Sequence, residues 1–311
     1  MTRCTGITTT ANGAYPCGTG FLSGELAVAT DLDKLLALLE VERIDKYLFI
    51  GRSPPKPARI YGGQVLAQSL NAAGRTVDAG RHAHSVHAYF LRPGDPGKQI
   101  IYEVDPIRDG KSFVTRRVVA KQDGVPIFST SMSFHRQEQG LSHQLAAPDV
   151  APPEELESDH RYWTRMAQRY PDQLEAPTVE PIERKTVRRR DYPHPQPQEP
   201  QQFIWFRALG ELGDDHRRHQ TVLTYLSDSA LVGTALLPHP CSTRHSSMQF
   251  ASLDHALWFH RPFRADEYLL YALDSPTAAA ARGFSRGAFY TRDGVLVASA
   301  AQESLLRLPR D

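Results

Sequence analysis

Several groups of residues in this 311-residue chain have types and spacings that could do chemistry. Gly283-Phe284-Ser285-Arg286-Gly287 fits the G-x-S-x-G pattern of a nucleophile elbow. That motif needs a strand, a sharp turn and then a helix, whereas Phe284 to Tyr290 reads as a strand running into an Asp293-Gly294 hairpin, so Ser285 is expected to be structural. Asp254-His255 has the composition of an acid/base pair, but neighbours on a strand point to opposite faces. Only one of the two is expected to line a site, and His255 is taken as the candidate on the substrate side. His82, His84 and His87 alternate loosely with no Cys or carboxylate partner, so no metal site is expected. The Arg188-Arg189-Arg190 run could attract an anion but reads as a solvated edge. Cys4, Cys17 and Cys241 are too few for a disulfide framework, which points to a reducing compartment.

Ordered elements must position whatever chemistry there is. Hydrophobic residues at 41% and charged residues at 23% are ordinary globular usage. The length suggests two domains or one large one. With 36 Lys+Arg against 35 Asp+Glu, nothing calls for a nucleic-acid partner. No apolar run approaches the roughly 18 residues of a membrane span, so a cytoplasmic protein is expected. Residues 1–29, polar and aperiodic, read as a disordered extension. Thr30-Asp31-Leu32-Asp33 reads as a capping box opening a helix that ends near Arg43. A second helix follows Gly62-Gly63 and runs from Gln64 to about Ala73. Strands fill His84 to Arg136, punctuated by Arg92-Pro93-Gly94, Arg108-Asp109-Gly110 and Asp123-Gly124. Gln137 to Pro200 holds 10 of the 23 prolines and reads as a connector, with a short helix over Ser158–Tyr170 and a strand over Ile182–Val187. Beyond it come a strand (Phe203–Leu209), a helix (Asp228–Leu237) and a strand-rich tail.

The halves repeat. His87-Ala-Tyr-Phe-Leu-Arg-Pro93 aligns with Ala256-Leu-Trp-Phe-His-Arg-Pro262 at an offset of 169, and Ile101–Asp105 meets Leu270–Asp274 at the same offset. Asp123-Gly124-Val125 meets Asp293-Gly294-Val295 at 170. A duplicated unit of one helix and a run of antiparallel strands implies an α+β fold, with each sheet wrapped around its helix. Two such units can pair side by side into one continuous sheet. The expected organisation is residues 30–136 and 181–311 as the two units and 137–180 as the Pro-rich connector.

Ile60-Tyr-Gly-Gly-Gln-Val65, Tyr89-Phe-Leu-Arg-Pro-Gly94, Arg108-Asp-Gly110, Tyr225-Leu-Ser-Asp-Ser229, Leu253-Asp-His255 with Trp258-Phe-His-Arg-Pro262, and Asp293-Gly-Val-Leu-Val-Ala-Ser299 with Gln302-Glu303 resemble the acyl-CoA thioesterase II (TesB-like) family of double hotdog enzymes. The order and spacing of these motifs from about Leu32 to Leu308 carry the match. The resemblance implies a site of three polar side chains around a water: an Asp at the start of the second hotdog helix, Asp228; a hydroxyl on the strand after it, Ser252; and a Gln near the end of the last strand, Gln302. The family carries Thr where this chain has Ser252, which keeps the hydroxyl but loses the methyl that restricts its rotamer.

The repeat offers a comparison within the chain. Arg59 to Gln64, in the region matching Asp228, has no carboxylate, and the counterparts of Ser252 and Gln302 are Ala83 and Met132. Asp228 could merely cap a helix, but a structural role should recur in both halves, whereas one active site per chain need occur once. An Asp with an ordinary pKa of about 3.9 is a weak base at neutral pH. Asp228, Ser252 and Gln302 are therefore expected to orient and polarise a water together, for direct attack without an acyl-enzyme. Backbone N–H groups of Gly62 and Gly63 are the expected oxyanion donors. What the resemblance implies is hydrolysis of acyl-CoA to fatty acid and CoA by a homo-oligomer with no metal or cofactor. Two alternatives stand beside it: a hotdog enoyl-CoA hydratase, using Asp254 or His255 and not Gln302, and a non-catalytic acyl-CoA-binding protein indifferent to Asp228→Ala.

Overall fold

A computed structural model describes residues 30–55, 59–178, 180–244 and 248–308. The extension 1–29, with Cys4 and Cys17, lies outside the described residues. Thr30 Oγ1 accepts from the Asp33 N–H, and the Asp33 carboxylate accepts from the Thr30 N–H, so a capping box opens α1 (Asp31–Leu39). Leu32, Leu35 and Leu39 form its buried stripe. The helix stops at Leu39 rather than near Arg43, because Glu40 turns extended and the chain enters the hairpin β1 (Glu42–Asp45) and β2 (Leu48–Gly51).

The first half continues with α2 (Gly62–Gly74), β3 (His82–Phe90), β4 (Ile100–Asp109), β5 (Phe113–Gln122) and β6 (Val125–His135). The connector holds a 3-10 turn at Pro153–Glu155 and α3 (Asp159–Arg169). Then come β7 (Ile182–Thr186), β8 (Gln201–Ala208), α4 (His216–Ser227), α5 (Leu231–Ala235), β9 (Gln249–Ser252), β10 (Asp254–Phe259), β11 (Leu269–Ala279), β12 (Arg282–Thr291) and β13 (Leu296–Arg307).

Among the described residues all thirteen strands belong to one antiparallel sheet, in the order β1-β2-β4-β5-β6-β3-β10-β13-β12-β11-β8-β7, with β9 beside β13. Read outward from the middle, the two halves have the same order, so a pseudo-twofold axis passes between β3 and β10. His87 pairs with Ala256 there, the two residues aligned with each other by the repeat. A residue paired with its own counterpart must sit on the axis. This is a double hotdog, with the helices laid against the sheet. Between β5 and β6, Asp123 and Gly124 both have positive φ, at 49° and 77°, the backbone that matches a tight hairpin to strand twist.

The second-half helix departs from expectation. It spans α4, twelve residues before Asp228, and Asp228 closes it as the C-cap. Ala230 then takes a left-handed conformation (φ 73°), and only the short α5 follows. The apolar periodicity that reveals a helix is weak in α4 because His219, Gln220, Thr221, Thr224 and Ser227 share its buried face. Nor is the arginine run a solvated edge. Arg188 is exposed, but Arg189 pairs with Asp159 at 2.6 Å. Arg190 donates to the carbonyls of Leu236, His239 and Cys241, tying the segment between β7 and β8 to the residues that follow α5.

Candidate active site

Helices α2 and α4 run antiparallel across the pseudo-twofold, so the start of α2 meets the end of α4. Gly63 makes this contact possible: a Cβ there would lie 2.3 Å from the Tyr225 carbonyl oxygen. Tyr61, just before α2, stacks edge-on against Tyr225 and donates its hydroxyl to the Tyr225 carbonyl. Burial, then the nearby Asp228, pushes the Tyr61 phenol well above its ordinary value, so it stays protonated as that donor. The Gly63 N–H donates to Asp228 Oδ2 at 2.9 Å, placing a carboxylate at the positive end of a helix.

Asp228, Ser252 and Gln302 come together although they lie on the end of α4, β9 and β13. Ser252 Oγ donates to Asp228 Oδ1 at 2.8 Å, and Gln302 Nε2 donates to Ser252 Oγ at 3.1 Å. The proton directions follow from one fact: the Gln302 amide nitrogen only donates. The Ser252 hydroxyl must therefore donate to Asp228, its lone pair receives the Gln302 amide N–H, and the Gln302 carbonyl turns away, to His255. His255 Nδ1–H donates to Gln302 Oε1 at 2.8 Å, while Nε2 lies 2.9 Å from Ser227 Oγ. Burial holds the His255 pKa below its ordinary value, against the pull of Asp228, Gln302 and Asp254. With its proton on Nδ1, a neutral ring leaves Nε2 to accept from Ser227 Oγ, whose one proton also lies within reach of the Thr224 carbonyl, at 2.9 Å. Gln302 also donates to Ser304 Oγ at 3.1 Å. Asp228 is 6% exposed and Gln302 0%, whereas Ser252 is only partly buried, so the trio is reached past the hydroxyl.

His255, expected on the substrate side, is 1% exposed and sits behind Gln302. Asp254, on the opposite face, accepts from the Glu303 N–H. The Gly63 N–H is committed to Asp228, which leaves Gly62 as the glycine at this helix start not engaged by the carboxylate. A Cβ at Gly62 would lie 2.7 Å from both Asp228 Oδ2 and the Phe90 ring, so only glycine lets the chain pass this close. Ser285 is buried in β12 and donates to the Leu231 carbonyl, with no helix after it. His84 meets Ser133 and His87 meets the Trp258 ring. Among the described residues no group of three or more His, Cys, Asp or Glu side chains is arranged to hold a metal.

Sequence reasoning missed Ser227, Ser304 and Tyr271, whose hydroxyl donates to the Ser227 carbonyl. Ser304 carried a signal, since it lies two residues from Gln302 on the same face of a strand. Ser227 carried none, because its role depends on a histidine 28 residues away.

Comparison with known proteins shows the family and the fold. A family model described as acyl-CoA thioesterase matches residues 176–305, and one described as acyl-CoA thioesterase N-terminal domain matches residues 51–135. Human acyl-coenzyme A thioesterase 8 is 42% identical over 283 residues, covering 87% of this chain and 88% of that protein. The crystal structure of acyl-CoA thioesterase II TesB2 from Mycobacterium marinum superposes with a TM-score of 0.73 at 39% identity, covering 88% of this chain and 98% of that one. A hot dog fold protein of unknown function from Alicyclobacillus acidocaldarius shares the fold at a TM-score of 0.71 and 17% identity, covering 91% of this chain and 100% of that one.

Proposed function

Because this chain belongs to the acyl-CoA thioesterase family, we propose that it hydrolyses acyl-CoA to a free fatty acid and CoA through a water held by Asp228, Ser252 and Gln302. The observation that carries this reading is the Asp228–Ser252–Gln302 chain of hydrogen bonds, assembled from three elements at the start of α2. The water oxygen attacks the thioester carbon, the C–S bond breaks, and the water's proton passes by way of the Asp228 carboxylate to the leaving sulfur. Ser252 and Gln302 orient the water, and His255 holds Gln302. Charge developing on the carbonyl oxygen is met at the start of α2 by the Gly62 N–H, because the Gly63 N–H is held by Asp228 and the Gln64 N–H by the Tyr61 carbonyl.

The remaining expectations belong to the same reading. Residues 30–136 and 181–311 act as the two hotdog units around the connector 137–180, and only the second carries the trio. The end strands β1 and β7 leave sheet edges through which a homo-oligomer could assemble. Among the described residues no helix is long and apolar enough to cross a membrane. For the hydratase alternative, Asp254 or His255 would have to meet substrate. The burial of His255 between Gln302 and Ser227 favours a positioning role instead.

The test is release of free thiol from acyl-CoAs of increasing chain length. Wild type should release CoA, and Asp228→Ala and Gln302→Ala should each lose about two orders of magnitude. Binding without thiol release at any chain length would overturn the hydrolase and make enoyl-CoA hydration the next assay.

A further inference from the structure

The pseudo-twofold that places the trio at one end of the α2/α4 pair generates a corresponding corner at the other. There the end of α2 meets the start of α4, and the Arg217 guanidinium donates to the carbonyls of Gly74, Val77, Asp78 and Arg81. Each catalytic position has a counterpart. Arg75 is the C-cap of α2 as Asp228 is of α4. Ala83 stands for Ser252, Met132 for Gln302 and Phe134 for Ser304, by the strand offsets of the repeat. The hydrolytic groups are gone, yet a cleft of about 520 Å³ opens here, with Arg75, Ala83 and Phe134 among its walls.

We infer that this corner is a second, non-hydrolytic binding site for the phosphorylated CoA part of an acyl-CoA or of released CoA. The inference rests on the acyl-CoA reading for the identity of the ligand. Its chemistry comes from the walls. Arg81, Arg217 and Arg218 join Arg75 around the cleft, and backbone carbonyls hold both terminal nitrogens of Arg81 and Arg217 and one each of Arg75 and Arg218, so the guanidinium groups are held in place before any anion arrives. Arg81 is only 7% exposed and its Nε has no hydrogen-bond partner. The nearest carboxylate oxygen, of Asp78, lies 4.0 Å away. Three carboxylates, Asp33 in the Thr30 cap, Asp215 accepting from the Arg217 N–H, and Glu40, also line the cleft against its four arginines. Ala37 and Leu70 give the cleft an apolar side able to take an adenine ring or the first carbons of an acyl chain.

Isothermal titration of the full chain with an S-alkyl-CoA thioether, in which a methylene replaces the scissile carbonyl, counts the sites directly, with free CoA run beside it. Wild type should bind two thioethers per chain. Ala37→Glu and Arg218→Glu, both at exposed positions, should each lose one site while keeping the wild-type unfolding temperature. That result carries the inference whether or not free CoA reproduces it. One thioether per wild-type chain, or two in both folded variants, overturns it. Thiol release is measured on the same preparations. A protein that hydrolyses but binds once removes the second site and leaves the hydrolase standing, and one that binds twice without hydrolysing does the reverse.

Discussion

At one end of the α2/α4 pair a carboxylate closes a helix and a hydroxyl, an amide and an imidazole line up behind it. At the other end a guanidinium closes the matching helix, with an alanine and a methionine in the places of the hydroxyl and the amide. The backbone frame is the same at both, and so is the electrostatic logic of a helix start meeting a helix end. In one case the Gly63 N–H of α2 faces an anion; in the other a cation on the first turn of α4 reaches the carbonyls that end α2. Duplication copied the frame, and a handful of side chains set the chemistry of each end.

The largest effect should come from removing the carboxylate. Asp228→Asn keeps the shape of the side chain but turns one acceptor oxygen into a donor that faces the Gly63 N–H or the Ser252 hydroxyl. Thiol release should fall by about two to three orders of magnitude while the unfolding temperature moves little. A rate within tenfold of wild type would erase the difference between the two ends. Next is Gly63→Ala, whose Cβ would lie 2.3 Å from the Tyr225 carbonyl. Overpacking of this kind costs about 1–3 kcal/mol, read as a lowered denaturation midpoint, and the displaced Asp228 should take most of the activity with it.

Ser252→Ala removes one hydrogen bond to a charged group, worth about 1.5–3 kcal/mol, and should slow thiol release roughly ten- to hundredfold. Ser252→Thr keeps the hydroxyl and should stay within about threefold of wild type, since a branched side chain only narrows the rotamers. If Thr were as slow as Ala, the hydroxyl would not be what distinguishes this end.

The smallest effect concerns the basic end. There the His216 pKa is pushed down to about 4, by burial first and then by His82 and His219, against Asp215. The unfolded chain, at about the ordinary 6.5, takes up the proton before the folded one does. Stability is therefore complete above about 6.5 and declines as pH falls toward 4. Urea midpoints at about pH 7, 6 and 5 should drop across the series, and His216→Gln should flatten the decline. An equally steep decline in the variant would shift the effect to other groups.

Much of the frame was legible in the linear chain because duplication leaves matched punctuation. The Arg-Pro pairs at 92–93 and 261–262 and the Asp-Gly pairs at 123–124 and 293–294 locate the same turns in both halves, and His87 opposite Ala256 even marks the axis. The trio was reached by resemblance and by its absence from the other half. α4 was not legible, because a helix buried between another helix and a sheet can spend its inner face on hydrogen-bonded polar residues and lose the periodicity that announces it. With α4 missing, Asp228 read as the start of a helix, and its counterpart was sought at Arg59–Gln64 instead of Arg75.

The chain by itself therefore determined the class of fold and the duplication, which rest on local turn chemistry and on repeated spacing, while the three polar residues were named by family resemblance and by their absence from the first half. Tertiary structure alone decided that the Gly63 N–H holds Asp228 across 165 residues, that His255 holds Gln302 from behind, and that the corner related to the trio by the pseudo-twofold is lined with arginine. Those are contacts between elements far apart in sequence, fixed by how two helices cross on one sheet, and no local pattern of residue types carries that geometry.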